Sequence, residues 1–168
     1  MTNTLRFLQI FALGTWVGSI FYFSAAVAPA AFRVLQNLDQ AGVLVEFTLR
    51  RLHTLGVVAG IVFLFASALL AMSTTISRKS VALPAAGVAI MVVLTMISQH
   101  VVIRRMTHLR REMVSVAATP PDNPLRLEFN RLHRISVQLE GSTLLIGFAS
   151  LFLTVGNNSG HTRRLWGN

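Results

Sequence analysis

The feature that most constrains this chain is a set of long stretches without a single charged side chain. No Asp, Glu, Lys or Arg occurs between Arg6 and Arg33, from Thr54 to Ser77, from Ser80 to Gln99, or from Gly141 to Gly160. A helix needs about 20 mostly apolar residues to cross the hydrocarbon core of a bilayer. The four stretches therefore predict four membrane-spanning helices.

The composition of the 168 residues favours the same class of protein. Hydrophobic residues make up 53% of the chain and charged residues only 12%, whereas a soluble domain carries about 25% charged residues. We predict an all-α fold, an integral membrane four-helix bundle in one domain over residues 1–168. The predicted helices cover about 5–35, 52–75, 81–118 and 125–156, and a short tail follows at 157–168.

The first stretch is longer than the core of a secretory signal, which has about 7–15 apolar residues, so we interpret it as a retained helix. The chain has no cysteine, which excludes disulfides, thiolate metal sites and thiol redox chemistry.

The third predicted helix is too long for a membrane. Nothing breaks it from Val81 to Ala118, and these residues would extend about 57 Å against a hydrocarbon core of about 30 Å. Three prolines between 120 and 124 form the turn that follows. Helices 3 and 4 are therefore predicted to extend into a cytoplasmic helical hairpin.

The net charge of +9 is distributed unevenly. Ten of the 15 Lys and Arg residues lie between helices 1 and 2 or helices 3 and 4: Arg33, Arg50, Arg51, Arg104, Arg105, Arg110, Arg111, Arg126, Arg131 and Arg134. Cytoplasmic loops of membrane proteins are enriched in Lys and Arg. We expect a multi-pass protein of the cytoplasmic (inner) membrane, with both termini outside. The lipid bilayer is then the partner of these arginines, and no nucleic acid is expected because its recognition needs exposed aromatic residues on a soluble surface.

Small residues recur at helical spacing where helices are expected to touch. Gly14 and Gly18 form one GxxxG pair in helix 1, Gly56 and Gly60 form another in helix 2, and Gly147 lies in helix 4. Small side chains let helix backbones approach closely. We expect these glycines to pack inside the bundle, and a homo-oligomer is the alternative.

Helix 4 carries one acidic residue on a line of small and polar residues. The line steps by three and four positions, the repeat of one helix face, through His133, Ser136, Glu140, Thr143, Gly147, Ser150 and Thr154. A buried charge in a membrane costs about 2.5–3.5 kcal/mol, which protonation or a cation must offset. We predict an internal polar or ion site formed by Glu140, His133, His53, Ser136, Thr143, Arg51 and Arg131. The alternative is a Glu–Arg or Glu–His pair that only locks the bundle.

His53, His100 and His133 are predicted to share one level of the membrane. Three converging imidazoles could bind a divalent metal or haem b. The alternative is that these histidines cap helices or contact lipid headgroups, since no HxxxH or HxxE spacing concentrates ligands within one helix.

Several short segments resemble one membrane family. They are Trp16-Val17-Gly18, Val27 to Phe32, Arg51-Leu52-His53, Gln99-His100 with Ile103-Arg104, and Phe129 to Ser136. Their order resembles the transmembrane protein 205-like domain, which implies a four-helix membrane protein of poorly understood activity. That family has a Pro-Arg-Thr-like stretch where this chain has Arg104-Arg105-Met106-Thr107.

A more distant similarity is to copper-resistance D proteins and to four-helix haem-binding protoporphyrinogen oxidases. The oxidases place a haem-ligating histidine in helix 1, where this chain has none.

Three functions are therefore weighed. The first is binding or transport of a cation, proton or metal species at the internal site. The second is a structural or accessory subunit of a larger membrane complex, and the third is a haem- or metal-binding redox protein. An enzyme is less expected because no catalytic triad, phosphate loop or paired carboxylates occur. The sequence leaves the ligand, the partner proteins, the oligomeric state and the protonation of Glu140 open.

Overall fold

The protein consists of long helices, two of which contain a widened turn. The computed structural model describes residues 2–72 and 78–162, with side chains described as far as residue 156. The elements are α1 (Thr2–Tyr22), a π-helical turn (Phe23–Val27), α2 (Ala28–Val34), α3 (Leu38–Ala71), α4 (Arg78–Ile97), a second π-helical turn (Ser98–Ile103), α5 (Arg104–Met113) and α6 (Pro124–Thr162).

Among the described residues, four segments are long and apolar enough to cross a membrane: Thr2–Val34, Leu38–Ala71, Arg78–Met113 and Pro124–Gly156. α1 packs against α3, α3 against α4, α4 against α6, and α6 returns to α1, which closes a four-helix bundle. The chain is therefore a multi-pass membrane protein, and the predicted all-α bundle is confirmed.

The interior of the bundle is filled with large apolar side chains, and many others point outward. Trp16, Phe63, Val88 and Met91 are completely buried. Phe65 and Phe152 are each more than half exposed, as expected for side chains that face lipid. The outward apolar surface means that the bilayer, not water, surrounds the middle of this bundle.

Three of the five glycines lie at close helix contacts. Gly56 and Gly60 lie against the ring of Trp16, and Gly147 lies against Val17 and Met91. A Cβ atom on Gly14 or Gly18 would meet no atom within 4 Å. The expected packing inside the bundle is therefore not found for Gly14 and Gly18, because that face of α1 turns outward.

The second helix begins well before the predicted residue 52. The Asn37 side chain accepts hydrogen bonds from the backbone N–H groups of Asp39 and Gln40, which caps α3 at Leu38. The charged residues at 39–51 suggested a loop, but a helix that leaves the membrane can carry charge. α3 therefore runs beside the predicted hairpin.

The third helix ends at Met113, five residues earlier than expected. Val114 follows with a φ of 62°, a conformation that β-branched residues rarely adopt, and this breaks the helix. At the other boundaries, residues 73–75 of the predicted second helix and residues 163–168 of the predicted tail lie outside the described residues.

The π-helical turn in the first span has a local cause. The ring of a proline clashes with the carbonyl four residues earlier, which for Pro29 is that of Ala25. The widened turn Phe23–Val27 contains this carbonyl, and the Ala28 N–H donates to the Phe23 carbonyl instead. This turn sets the direction of α2 and so the shape of one end of the bundle.

Candidate functional site

A cavity of about 790 Å³ occupies one end of the bundle. It lies between α2, the first turns of α3, α5 and the first half of α6, and most of its surface is apolar. α2 packs mainly on α3, whereas α1 is the part of this span that packs against α6. The end of the first span and α6 therefore form opposite walls of the cavity.

Glu140 lies at the inner end of this cavity and touches a histidine from another helix. Its Oε1 atom is in direct contact with Nε2 of His53, which α3 contributes. The His53 side chain is 1% exposed and the Glu140 side chain 14% exposed. The structure thus joins two predicted site residues, and Glu140 faces the cavity while His53 is sealed behind it.

Gln99 completes the arrangement from the third span. Its Oε1 atom is 3.1 Å from Nδ1 of His53, so the two ring nitrogens of His53 both have partners. Gln99 lies in the second π-helical turn, and such turns are rare in proteins and frequent at functional sites. The widened turn changes which side chains of this span face inward near Gln99.

The partners of His53 determine how many protons the pair holds. A carbonyl oxygen only accepts hydrogen bonds, so Gln99 Oε1 requires a proton on Nδ1. The contact between Nε2 and Glu140 then needs a second proton, either on the imidazole or on the carboxyl group. In both cases His53 and Glu140 together carry no net charge, which suits a buried pair.

The other polar residues of α6 follow the predicted line. Ser136, Thr143, Ser150 and Thr154 are all buried. The hydroxyl of Thr143 donates to the carbonyl of Leu139, and that of Thr154 donates to the carbonyl of Ser150. Of this group, Ser136 lines the cavity one turn before Glu140.

The remaining predicted site residues do not join the pair. Arg51 and Arg131 are exposed, and the guanidinium of Arg51 lies 5.3 Å from the centre of the Phe47 ring. His133 is exposed and lines the cavity nearer its outer end.

The proposed metal ligands are separated. His100 is exposed, and His53 has both ring nitrogens engaged by Gln99 and Glu140. Within residues 2–72 and 78–156, no group of three or more His, Asp or Glu side chains is placed to hold a metal ion. The described residues therefore form no three-ligand site for a divalent metal in this arrangement.

Comparison with known proteins identifies a family for this architecture. Residues 11–115, more than half of the chain, match the domain of unknown function DUF4149. The chain belongs to the DUF4149 family. No curated protein and no solved structure matches the chain. The matched segment of this DUF4149 protein contains His53 and Gln99 and ends before Glu140.

Charged residues at the outer end of the cavity neutralise one another. Glu46 accepts hydrogen bonds from Arg110 at 2.6 Å, from Thr107 at 2.6 Å and from Arg50 at 3.0 Å. The sequence did not predict Glu46 as a site residue of this DUF4149 protein, because Thr107 and Arg110 lie 61 and 64 residues away and no local pattern connects them to Glu46.

The loop after α5 is held by a second carboxylate. Asp39 accepts from the hydroxyl of Ser115 at 2.6 Å and from the backbone N–H of Val116 at 3.0 Å. Arg126 donates to the backbone carbonyl of Thr119 and lines the cavity nearby. The outer end is thus a network of ion pairs and hydrogen bonds that joins three helices.

Two buried polar atoms near the pair have no hydrogen-bond partner among the described residues. They are Nε1 of Trp16 and Oγ of Ser98. The Trp16 indole lies against Gly56, one helical turn after His53, and Ser98 directly precedes Gln99. The polar centre of the DUF4149 bundle therefore includes a side chain from each of the four spans.

Proposed function

We propose that this DUF4149 protein is a membrane-embedded binding protein that holds an exchangeable proton at the His53–Glu140 pair. The cavity gives one face of this pair access to a small ligand. The observation that carries the proposal is the contact between a sealed imidazole and a carboxyl group at the inner end of an open cavity.

A proton suits the pair better than a metal ion does. The two groups must share one proton to satisfy Gln99 and each other, and this proton leaves the pair neutral. A divalent cation would find two protein ligands here and no third among the described residues. The sequence left open whether a proton or a cation binds here, and the geometry of the pair favours the proton.

The packing favours binding over passage through the bundle. Beyond Glu140 the interior is filled by Trp16, Phe63 and Met91, which are all completely buried. A solute crossing the bundle would have to displace these side chains. We therefore propose that the proton exchanges with one side of the membrane. Transport of a solute through the bundle would need a second conformation.

The charges suggest which side of the membrane the cavity faces. Arg110 and Arg126 line it, and the other arginines of the segments that connect spans 1 and 2 or spans 3 and 4 lie at the same end. Because cytoplasmic loops are enriched in Arg, we propose that the cavity faces the cytoplasm in the inner membrane, with both termini outside.

The test compares two Glu→Gln variants by infrared spectroscopy of the purified protein in lipid. Wild-type protein should show a pH-dependent band from this pair, either of a protonated carboxyl group or of an imidazolium with its carboxylate, that shifts in heavy water. Glu140→Gln should remove that band. Glu112→Gln should keep it, because Glu112 is exposed and pairs with His108 on the surface. A pH-dependent band that Glu140→Gln leaves unchanged would contradict the proposal.

A structural or accessory role is the second candidate, and one observation favours it. Gly14 and Gly18 leave an open strip on the outer face of α1, where another helix could approach closely. On this proposal Gly14→Leu would disrupt a homo-oligomer or a complex with other subunits in mild detergent, as measured by light scattering. An unchanged mass would remove the support.

A relation to the transmembrane protein 205-like domain stays a prediction and assigns no ligand, so the proposal rests on the geometry of the pair.

A further inference from the structure

We infer that the ligand of the cavity is a lipid-soluble molecule with a hydrogen-bond-accepting carbonyl group, the chemistry of a quinone with an alkyl tail. The inference rests on the proposed function, since it names the ligand that the His53–Glu140 pair would meet. It follows from the apolar lining of the cavity, from the apolar rim through which a molecule could enter, and from the charged side chains of the cavity, which already have partners.

The lining selects an elongated apolar molecule. The apolar side chains on the cavity surface come from every span and include Phe23, Phe32, Leu49, Ile103, Met106 and Leu144. Along α6 the cavity extends from Arg126 to Leu144, a distance of about 27 Å at 1.5 Å per residue. A ring with a hydrocarbon tail fits this shape and this surface.

The rim of the cavity allows entry from the lipid phase. Phe32 on α2 is 45% exposed and Val137 on α6 is 58% exposed, and both line the cavity. Phe32 belongs to the cavity wall formed by α2, and Val137 belongs to the opposite wall formed by α6. A molecule dissolved in the bilayer would meet an apolar rim there, whereas a hydrated ion would not be favoured.

The charges of the cavity argue against a cationic ligand. The carboxylates of Asp39 and Glu46 are already engaged by the hydrogen bonds and arginines described above. Glu140 shares a proton with His53, so it carries no free negative charge toward the cavity. No carboxylate that lines the cavity is left for a cation.

An anionic head is also disfavoured at the outer end. Arg110 is paired with Glu46, and Arg126 lies close to the same network and donates to a carbonyl. An anion there would lie beside two carboxylates. The uncharged inner end is the better place for the polar part of a ligand.

At the inner end the proton of the pair is engaged between His53 and Glu140, so a hydroxyl provides the donor for a ligand. Ser136 lies one turn before Glu140 and lines the cavity, and its hydroxyl can donate to a carbonyl oxygen of a bound ligand. The tail would then leave between Phe32 and Val137. No electron transfer is needed for this binding step.

The experiment uses the full chain in phosphatidylcholine nanodiscs and two probes with the same tail. The first probe is a decyl-substituted benzoquinone and the second is decylbenzene, which lacks the carbonyl groups. We expect the quinone to bind about tenfold or more tightly, the effect of one retained hydrogen bond. We also expect its carbonyl stretch to shift in the infrared spectrum on binding.

Variants test which side chain provides the hydrogen bond. Ser136→Ala should weaken binding of the quinone about tenfold and leave binding of decylbenzene unchanged. Ser136→Thr keeps the hydroxyl donor and should bind within a few-fold of wild type. Glu112→Leu, on the surface, should have no effect.

Two results would overturn the inference. They are equal affinity of the two probes for the wild-type protein, or occupation of the cavity by bulk phospholipid alone in native mass spectrometry. If the pH-dependent band of Glu140 is present in the same sample, the proposed function survives and only the ligand class is wrong. If that band is absent as well, both fail.

Discussion

At the residue scale, three histidines that look alike in sequence have different environments. His53 is 1% exposed and has a partner on each ring nitrogen, whereas His100 and His133 are exposed. Burial makes the difference, because a buried imidazole must satisfy both nitrogens within the protein. This requirement explains why Gln99 and Glu140 converge on His53 from two other spans.

Gly14 and Gly56 each begin a GxxxG pair, but they should respond differently to an added methyl group. A Cβ on Gly56 would overlap the indole of Trp16, which is completely buried and cannot move aside. Gly56→Ala should lower the stability of the folded protein by about 1–3 kcal/mol, the usual cost of overpacking. The measurement is thermal unfolding in detergent.

Gly14→Ala is the matched control for that change. Gly14 has no atom within 4 Å of its would-be Cβ, so the substitution should leave stability unchanged or raise it by up to about 1 kcal/mol, the preference of a helix interior for Ala over Gly. Equal destabilisation by both variants would show that the contact of Gly56 with Trp16 is not the cause.

At the element scale, the segments outside the apolar core are held together by hydrogen bonds to the carboxylates of Glu46 and Asp39. Glu46 on α3 binds Thr107 and Arg110 on α5, and Asp39 holds the loop after Met113. The predicted hairpin is therefore not free-standing, because α3 extends beside it. The outer wall of the cavity depends on these bonds.

Removal of Glu46 should loosen this end of the bundle. Glu46→Ala leaves Arg110 without its carboxylate partner, and hydrogen bonds to charged groups contribute about 1.5–3 kcal/mol each. We expect faster hydrogen exchange in residues 104–113, measured by mass spectrometry, with little change in the middle of α3.

Glu112→Ala serves as the comparison for Glu46→Ala, because the exposed Glu112 forms an ion pair with His108 on the same helix and does not join α5 to α3. If both variants exchange at the same rate, the network around Glu46 does not hold α5 in place.

At the scale of the whole molecule, the bundle has apolar side chains both inside and outside. Trp16 and Phe63 fill the interior, and Phe65 and Phe152 cover the surface. Only a bilayer stabilises such a surface over four spans. The two ends of the bundle must then face different compartments.

The absence of cysteine makes the orientation directly measurable. Val114 is 89% exposed at the arginine-rich end, and Met72 is 81% exposed after α3, at the other end. In intact spheroplasts a membrane-impermeant maleimide should label Met72→Cys at once and Val114→Cys only after permeabilisation. The opposite pattern would reverse the proposed sidedness and place the cavity outside.

The sequence by itself determined the membrane class, the four spans and the inward line of α6. Each follows from a local property of the sequence, namely the length of an apolar stretch or the 3.6-residue repeat. Neither property depends on how the helices pack against one another. The same properties singled out Glu140 as a residue that needs compensation.

Only the tertiary structure decided what compensates Glu140 and where the cavity lies. His53 and Glu140 are 87 residues apart, and Glu46 and Arg110 are 64 apart, so their contacts depend on how whole helices pack. The start of α3 at Leu38 and the break at Val114 likewise depend on side chains that meet across the bundle. Packing is a property of several helices together, and no single stretch of sequence contains it.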